Sequence, residues 1–174
     1  MGAIGYAWLF ILNNRNMIMS TREYTIEVSF PSVLGYEKVA RDAVASFALR
    51  CGFDASRLED LKTALGEACI NAIEHGNQRH ADLYVMVCCV YNAQQLTIEV
   101  CDHGVKPYSG ERPMADITSK VCGQTSCRGM GLLLISQLVD EYGFVQKTNG
   151  GNCLRLSFHQ LRRDEVLSPC STSA

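Results

Sequence analysis

Glu67-Ala68-Cys69-Ile70-Asn71-Ala72-Ile73-Glu74-His75-Gly76 is the stretch whose reading decides the fold. It lies in a helical pattern, and Glu67, Asn71 and His75 recur four residues apart. On a helix that spacing stacks side chains on one face. A carboxylate, a carboxamide and an imidazole in one column suit holding a metal or ordering a water. An amide in mid-helix has poor propensity, so Asn71 is expected to stand there for a reason. Its oxygen suits a hard cation such as Mg2+, which takes few protein ligands and leans on substrate phosphates. Glu67, one turn earlier, suits orienting or deprotonating a nucleophile. The plain alternative is the solvated polar face of an amphipathic helix.

Outward from this stretch the pattern resolves into elements. Asp54 is a candidate N-cap for a long helix reaching about residue 78. Leu58, Leu61, Leu65, Ala68 and Ala72 form its apolar stripe, roughly opposite Glu67, Asn71 and His75. Upstream, residues 23–30 alternate and are β-rich, hence a strand. Pro31-Ser32 is expected to start a helix running to about Arg50, which Cys51-Gly52 ends. Downstream, residues 83–91 and 95–101 are two strands joined by a short turn containing Asn92. Residues 105–127 are rich in Gly, Pro, Ser and Thr, and a loop of that length is usually a functional lid or disordered. Residues 131–141 read as a helix, and 142–148 with 152–159 as a hairpin turning at Asn149-Gly150-Gly151. The order β-α-α-β-β-lid-α-β-β, with few crossovers, predicts an α/β fold. It is a two-layer sandwich whose mixed, mostly antiparallel sheet is covered by helices on one face.

Two further segments carry chemistry. Asp102 closes an apolar strand, and Gly104 follows two residues on. A carboxylate there can accept a hydrogen bond from an exocyclic amine such as that of adenine. Gly104 would let a ligand approach the backbone closely. Alone, Asp-x-Gly after a strand is more often just a turn. Gly129-Met130-Gly131 opens the apolar run Leu132-Leu133-Leu134-Ile135. Free backbone N–H groups at a helix N-terminus make a phosphate site. Arg128 adds a cation able to reach a terminal phosphate, or is an exposed loop charge. The pattern matches neither GxGxxG nor the P-loop.

In this order the segments resemble the boxes of the histidine-kinase-like (Bergerat-fold) ATPases. The pattern is Glu67-x-x-x-Asn71-Ala72-x-x-His75, Asp102-x-Gly104, then Gly129-x-Gly131-Leu132-x-Leu134-Ile135. Within that family the chain is most similar to the anti-sigma factor serine-protein kinases, over roughly residues 24–158. The resemblance implies ATP and Mg2+ as cofactors. Asn71 would ligate the Mg2+, and Glu67 would be the general base acting on a serine hydroxyl of a protein substrate. Asp102 would hold the adenine amine, with Gly104 making room for the base. Gly129, Met130, Gly131 and Leu132 would embrace the phosphates, Arg128 would reach the γ-phosphate, and residues 105–128 would form the lid. His75 would be structural or nucleotide-proximal. The implied partners are a sigma factor, which is sequestered, and an anti-anti-sigma factor, which is phosphorylated on Ser or Thr. A homodimer is also implied, with its face sought on the first strand and helix up to about Leu49. One departure is visible, since Val105-Lys106-Pro107 lacks the second glycine often found in that box.

The remaining composition sets bounds. The chain has 174 residues and a formal net charge of −2, which gives no reason to expect nucleic acid or an anionic membrane as direct partner. Residues 21–160 are expected to form one domain, after an extension over 1–20 and before a flexible tail over 161–174. Residues 3–12 are apolar but too short to span a bilayer, and Tyr6 spoils a myristoylation pattern. Met17 and Met19 leave open where translation starts. Nine cysteines without a CxxC pair favour free thiols in a reducing cytoplasm, although Cys122 and Cys127 are spaced to bind metal or pair. Three other readings compete: a non-catalytic ATP-gated binding module, the catalytic half of a two-component histidine kinase, and a cysteine-rich metal or redox protein.

Overall fold

Alternation along the first strand gives way to a helix-covered sheet. The computed structural model describes residues 23–92, 94–104, 130–146 and 150–160. The expectations for residues 1–20, the lid over 105–128 and the tail over 161–174 lie outside them, as do Arg128, Gly129, Cys122 and Cys127. The strands are β1 (Tyr24–Pro31), β2 (Tyr84–Asn92), β3 (Gln95–Cys101), β4 (Glu141–Gln146) and β5 (Asn152–His159). The helices are α1 (Glu37–Arg50), α2 (Ala55–Asn71) and α3 (Gly131–Leu138). The sheet runs β1-β2-β3-β5-β4, and all four pairings are antiparallel, the limit of the mostly antiparallel expectation.

Register explains the covered face. Val87 pairs with Val100 and Cys89 with Ile98, while Ile98 faces Leu156 and Val100 faces Leu154. All are buried against α1 and α2, whereas Glu99 and Arg155 stand on the other face and pair with each other. Along α2 and into the turn that follows it, the expected stripe Leu58, Leu61, Leu65, Ala68 and Ala72 is buried throughout. Each buried leucine contributes roughly 1.5–3 kcal/mol, so the stripe holds α2 more than its propensity does. Asp54 caps it as expected, its carboxylate accepting from the Arg57 N–H at 2.9 Å. Among the described residues no helix is long and apolar enough to cross a membrane.

Three boundaries differ from expectation. Helix α1 begins at Glu37 rather than at Pro31-Ser32. Ser32 is tied instead to Leu83 O at 2.9 Å, and Gly35 turns the chain at φ +104°. Helix α2 does not run on to residue 78, because after Asn71 it widens into a π-turn, Ala72–Gly76. The Asn77 N–H closes that turn on Ala72 O at 2.8 Å. Helix α3 stops at Leu138 and not 141, since Val139 is extended and Asp140 is drawn to Arg57 and to the His159 N–H.

A fourth difference is chemical. Cys101 and Cys153 face each other across β3 and β5 and are joined as a disulfide, against the expectation of free thiols. The register puts both sulfurs on one side of the last rung of that ladder, which is what brings them together. The free cysteines described are Cys51, Cys69, Cys88 and Cys89.

Candidate functional site

The C-terminal end of α2 carries the first half of the site. Glu67 and Asn71 are one turn apart and partly buried. Gly131, the first residue of α3, sits over both. A Cβ built on Gly131 would lie 2.8 Å from Glu67 Oε2, 3.2 Å from Asn71 Nδ2 and 3.6 Å from Asn71 Oδ1. A side chain at this position would push the Glu67 carboxylate aside, whereas glycine lets the α3 N-terminus sit over both groups as they stand. Asn71 Nδ2 is buried and has no hydrogen-bond partner among the described residues. Leaving such a donor unpaired costs about 1–3 kcal/mol, which a bound polar ligand would recover. With the amide reversed, the same position would offer an oxygen. An orphaned carboxamide beside a carboxylate and a helix N-terminus fits a hard cation carrying phosphate oxygens.

The second half gathers around Asp102. This carboxylate is 6% exposed, and its Oδ1 accepts from Gly104 N at 2.9 Å, Asn152 N at 3.0 Å and Asn152 Nδ2 at 3.2 Å. Oδ2 takes only a longer 3.3 Å approach from Asn152 Nδ2 among the described residues. One oxygen is thus saturated, and the other keeps capacity for a donor. Glycines make the crowding tolerable: a Cβ on Gly76 would overlap the Asp102 carboxylate, and one on Gly151 would overlap Asp102 O. Gly104 departs from expectation in one respect. The space its missing side chain leaves is taken by the Gly76 carbonyl, so Gly104 first serves the packing of the π-turn.

The remaining expected residues are placed as follows. His75 lies on the π-turn and is exposed. Met130 is the exposed residue just before α3, and Leu132 packs against the core. The structure therefore brings Glu67, Asn71 and Gly131 together, and separately Asp102 with Gly104. Sequence reading missed Gly76, Gly151, Asn152 and Asn77 as parts of this framework. The Gly150-Gly151-Asn152 run was read as a turn and a strand start, without its approach to Asp102.

Thiol chemistry has little support here. Burial pushes the thiols of Cys51, Cys69, Cys88 and Cys89 up, Cys89 to about 12, so the reactive thiolate is disfavoured at each. For Cys69 the Glu37 charge adds to the burial. Glu99, Cys101 and Cys153 lie within 4.8 Å of one another, but the disulfide withholds both sulfurs from a metal.

With this geometry in view, the chain has clear relatives. The sequence profile of the histidine kinase-like ATPase domain matches residues 30–158. The anti-sigma F factor of Clostridium acetobutylicum is 34% identical over 120 residues, covering 68% of this chain and 82% of the relative. The serine-protein kinase RsbW of Bacillus thuringiensis is 29% identical over 134 residues, covering 71% of this chain and 78% of the relative. The crystal structure of the RsbU and RsbW domains of a Mycobacterium tuberculosis protein is similar at a TM-score of 0.55 and 18% identity. That likeness covers 78% of this chain and spans 32% of the mycobacterial chain, and it bears on the fold alone.

Proposed function

We propose that this chain, which belongs to the histidine kinase-like ATPase domain family, is an ATP-dependent serine-protein kinase and anti-sigma factor. It sequesters a sigma factor and phosphorylates an anti-anti-sigma antagonist on Ser or Thr. The names of the clostridial and bacillar relatives support both halves of that role. The observation that carries the catalytic half is the meeting of Glu67, the orphaned Asn71 amide and the N-terminus of α3.

In this reading Asn71 holds Mg2+, which when bound neutralises phosphate charge. Gly131, with Gly129, Met130 and Leu132, presents the helix N-terminus to the phosphates. Asp102, whose Oδ2 is the less occupied oxygen, would accept a hydrogen bond from the adenine amine and so favour adenine over a base with a carbonyl at that position. Gly104 shapes the floor of that subsite, and His75 lies nearby on the turn. By the resemblance of the sequence, Arg128 would reach the γ-phosphate and residues 105–128 would serve as the lid. Glu67 would receive the proton of the substrate hydroxyl as that oxygen bonds to the γ-phosphorus and ADP leaves with the electrons of the broken P–O bond. Phosphorylation adds charge to the antagonist and releases it from the kinase.

The wider organisation follows the same reading. Residues 21–160 would form the domain, with 1–20 and 161–174 outside it. Exposed Tyr24, Val39 and Leu49 on β1 and α1 support a homodimer through that face. The location is cytoplasmic, where sigma factors act, and no nucleic acid or membrane is bound directly.

The experiment is transfer of labelled phosphate from Mg-ATP to a cognate antagonist by wild type and Glu67→Gln. Wild type should transfer, and the variant should bind ATP as well while transferring about 10²–10⁴-fold more slowly. ATP binding without any transfer by wild type would favour the non-catalytic, ATP-gated module instead.

A further inference from the structure

We propose that Asn77 is a positioning residue for the base-binding segment, and that base-dependent nucleotide affinity runs through it. The inference rests on the nucleotide-site reading above. It concerns a residue outside the family pattern quoted for this chain.

Asn77 is 1% exposed and follows the π-turn directly. Its side chain joins three separate segments. Nδ2 donates to Ser32 Oγ at 2.5 Å, just past β1, and to Tyr84 O at 3.0 Å, at the start of β2. Oδ1 accepts from the His103 N–H at 2.7 Å, one residue after Asp102. Both amide hydrogens and the oxygen are used, so the orientation of the carboxamide is fixed by its partners. Its backbone is engaged as well, the N–H closing the π-turn on Ala72 O. Gln78 and Arg79, the next two residues, are both left-handed, at φ 52° and 60°. For residues other than glycine that conformation is costly and persists only where the surroundings enforce it.

The consequence for Asp102 is geometric. The carboxylate is held from the β5 side by Asn152 and from beneath by the Gly76 approach. The segment that leaves Asp102 is held from the opposite side by Asn77 through His103 N. The His103 ring reaches the same Tyr84 carbonyl, its Nδ1 at 2.8 Å, so both anchors converge on the start of β2. Removing Asn77 would take away the acceptor of the His103 N–H and free the Asp102–Gly104 turn to shift. A recognition carboxylate needs placement to about 0.5 Å, so the shift would weaken contact with the base but not with the phosphates, which are held from α2 and α3.

The test is calorimetric titration of wild type, Asn77→Ala and Ser32→Ala with Mg-ATP, Mg-GTP and Mg-tripolyphosphate, each protein checked by thermal unfolding. Asn77→Ala should bind ATP about tenfold more weakly while tripolyphosphate affinity stays the same, narrowing the ATP preference over GTP. Ser32→Ala, which removes one anchor of the carboxamide, should show a smaller loss of the same kind. It keeps the test open should Asn77→Ala not fold. Unchanged ATP affinity in a folded variant would overturn the inference, as would equal losses for all three ligands, the mark of a merely structural role. Wild type binding none of the three would overturn the nucleotide reading itself, and this inference with it.

Discussion

At its N-terminal end α2 carries Arg57, and at its C-terminal end Glu67 and Asn71. The same helix treats these polar side chains in opposite ways. Arg57 is 3% exposed and fully engaged. It pairs with Asp140 and Asp60, donates to Leu138 O at 3.1 Å and His159 O at 3.2 Å, and lies over the Phe158 ring. At the other end Asn71 Nδ2 is buried without a partner among the described residues, and Gly131 brings backbone close to Glu67 and Asn71. His159 Nε2 also lacks a partner among the described residues, but an imidazole nitrogen can be a bare acceptor, whereas an amide nitrogen always carries hydrogens. The difference teaches where the molecule spends its polar groups on holding itself together and where it keeps them for a ligand.

Breaking the anchored end should give the largest effect on stability. Arg57→Ala leaves the buried Asp140 without its cation and should cost about 3–5 kcal/mol in denaturant unfolding. Nucleotide affinity of the remaining folded protein should hold. An Arg57→Ala protein of wild-type stability would erase the contrast between the two ends. The site end is secured differently, by the Cys101–Cys153 link beside Asp102 and Asn152. It closes a loop with a sequence separation of 52, so reduction should cost about 4 kcal/mol, read as a lower unfolding midpoint under reductant. Denatured, unreduced chain that reacts at all nine cysteines would contradict the link. Asp54→Ala should do least, removing one cap bond for about 1 kcal/mol without touching ligand binding. A loss several times larger would mean that the cap also supports the Arg57 cluster.

Much of this was legible in the chain. Strand β5 falls at 152–159 as its alternation and the preceding glycines predict, and Asp54 caps α2 as its residue type predicts. Those signals are local, read within a few residues. What was not legible depends on partners far along the chain. Helix α1 starts late because Ser32 is held by Asn77, 45 residues away. Helix α3 ends early because Asp140 is taken by Arg57, 83 residues away. The π-turn has no local signature in Ala72–Gly76; it is set by the close fit of Gly76 against Asp102 and Gly104. Of the candidate site, Glu67, Asn71 and Asp102 stand out by residue type and order, and the fold sets Glu67 and Asn71 beside Gly131. Asn152 and Asn77 were not, since their role is visible only once β5 and the π-turn flank Asp102.

The central claim is that the open end of α2 is a nucleotide site centred on Asn71. Its most direct test is calorimetric titration of ATP, with and without Mg2+, into wild type and Asn71→Ala. Mg2+-dependent binding by wild type, weakened at least about tenfold in a variant of unchanged unfolding temperature, is the predicted result. No binding by wild type, or equal binding by both proteins, would contradict it.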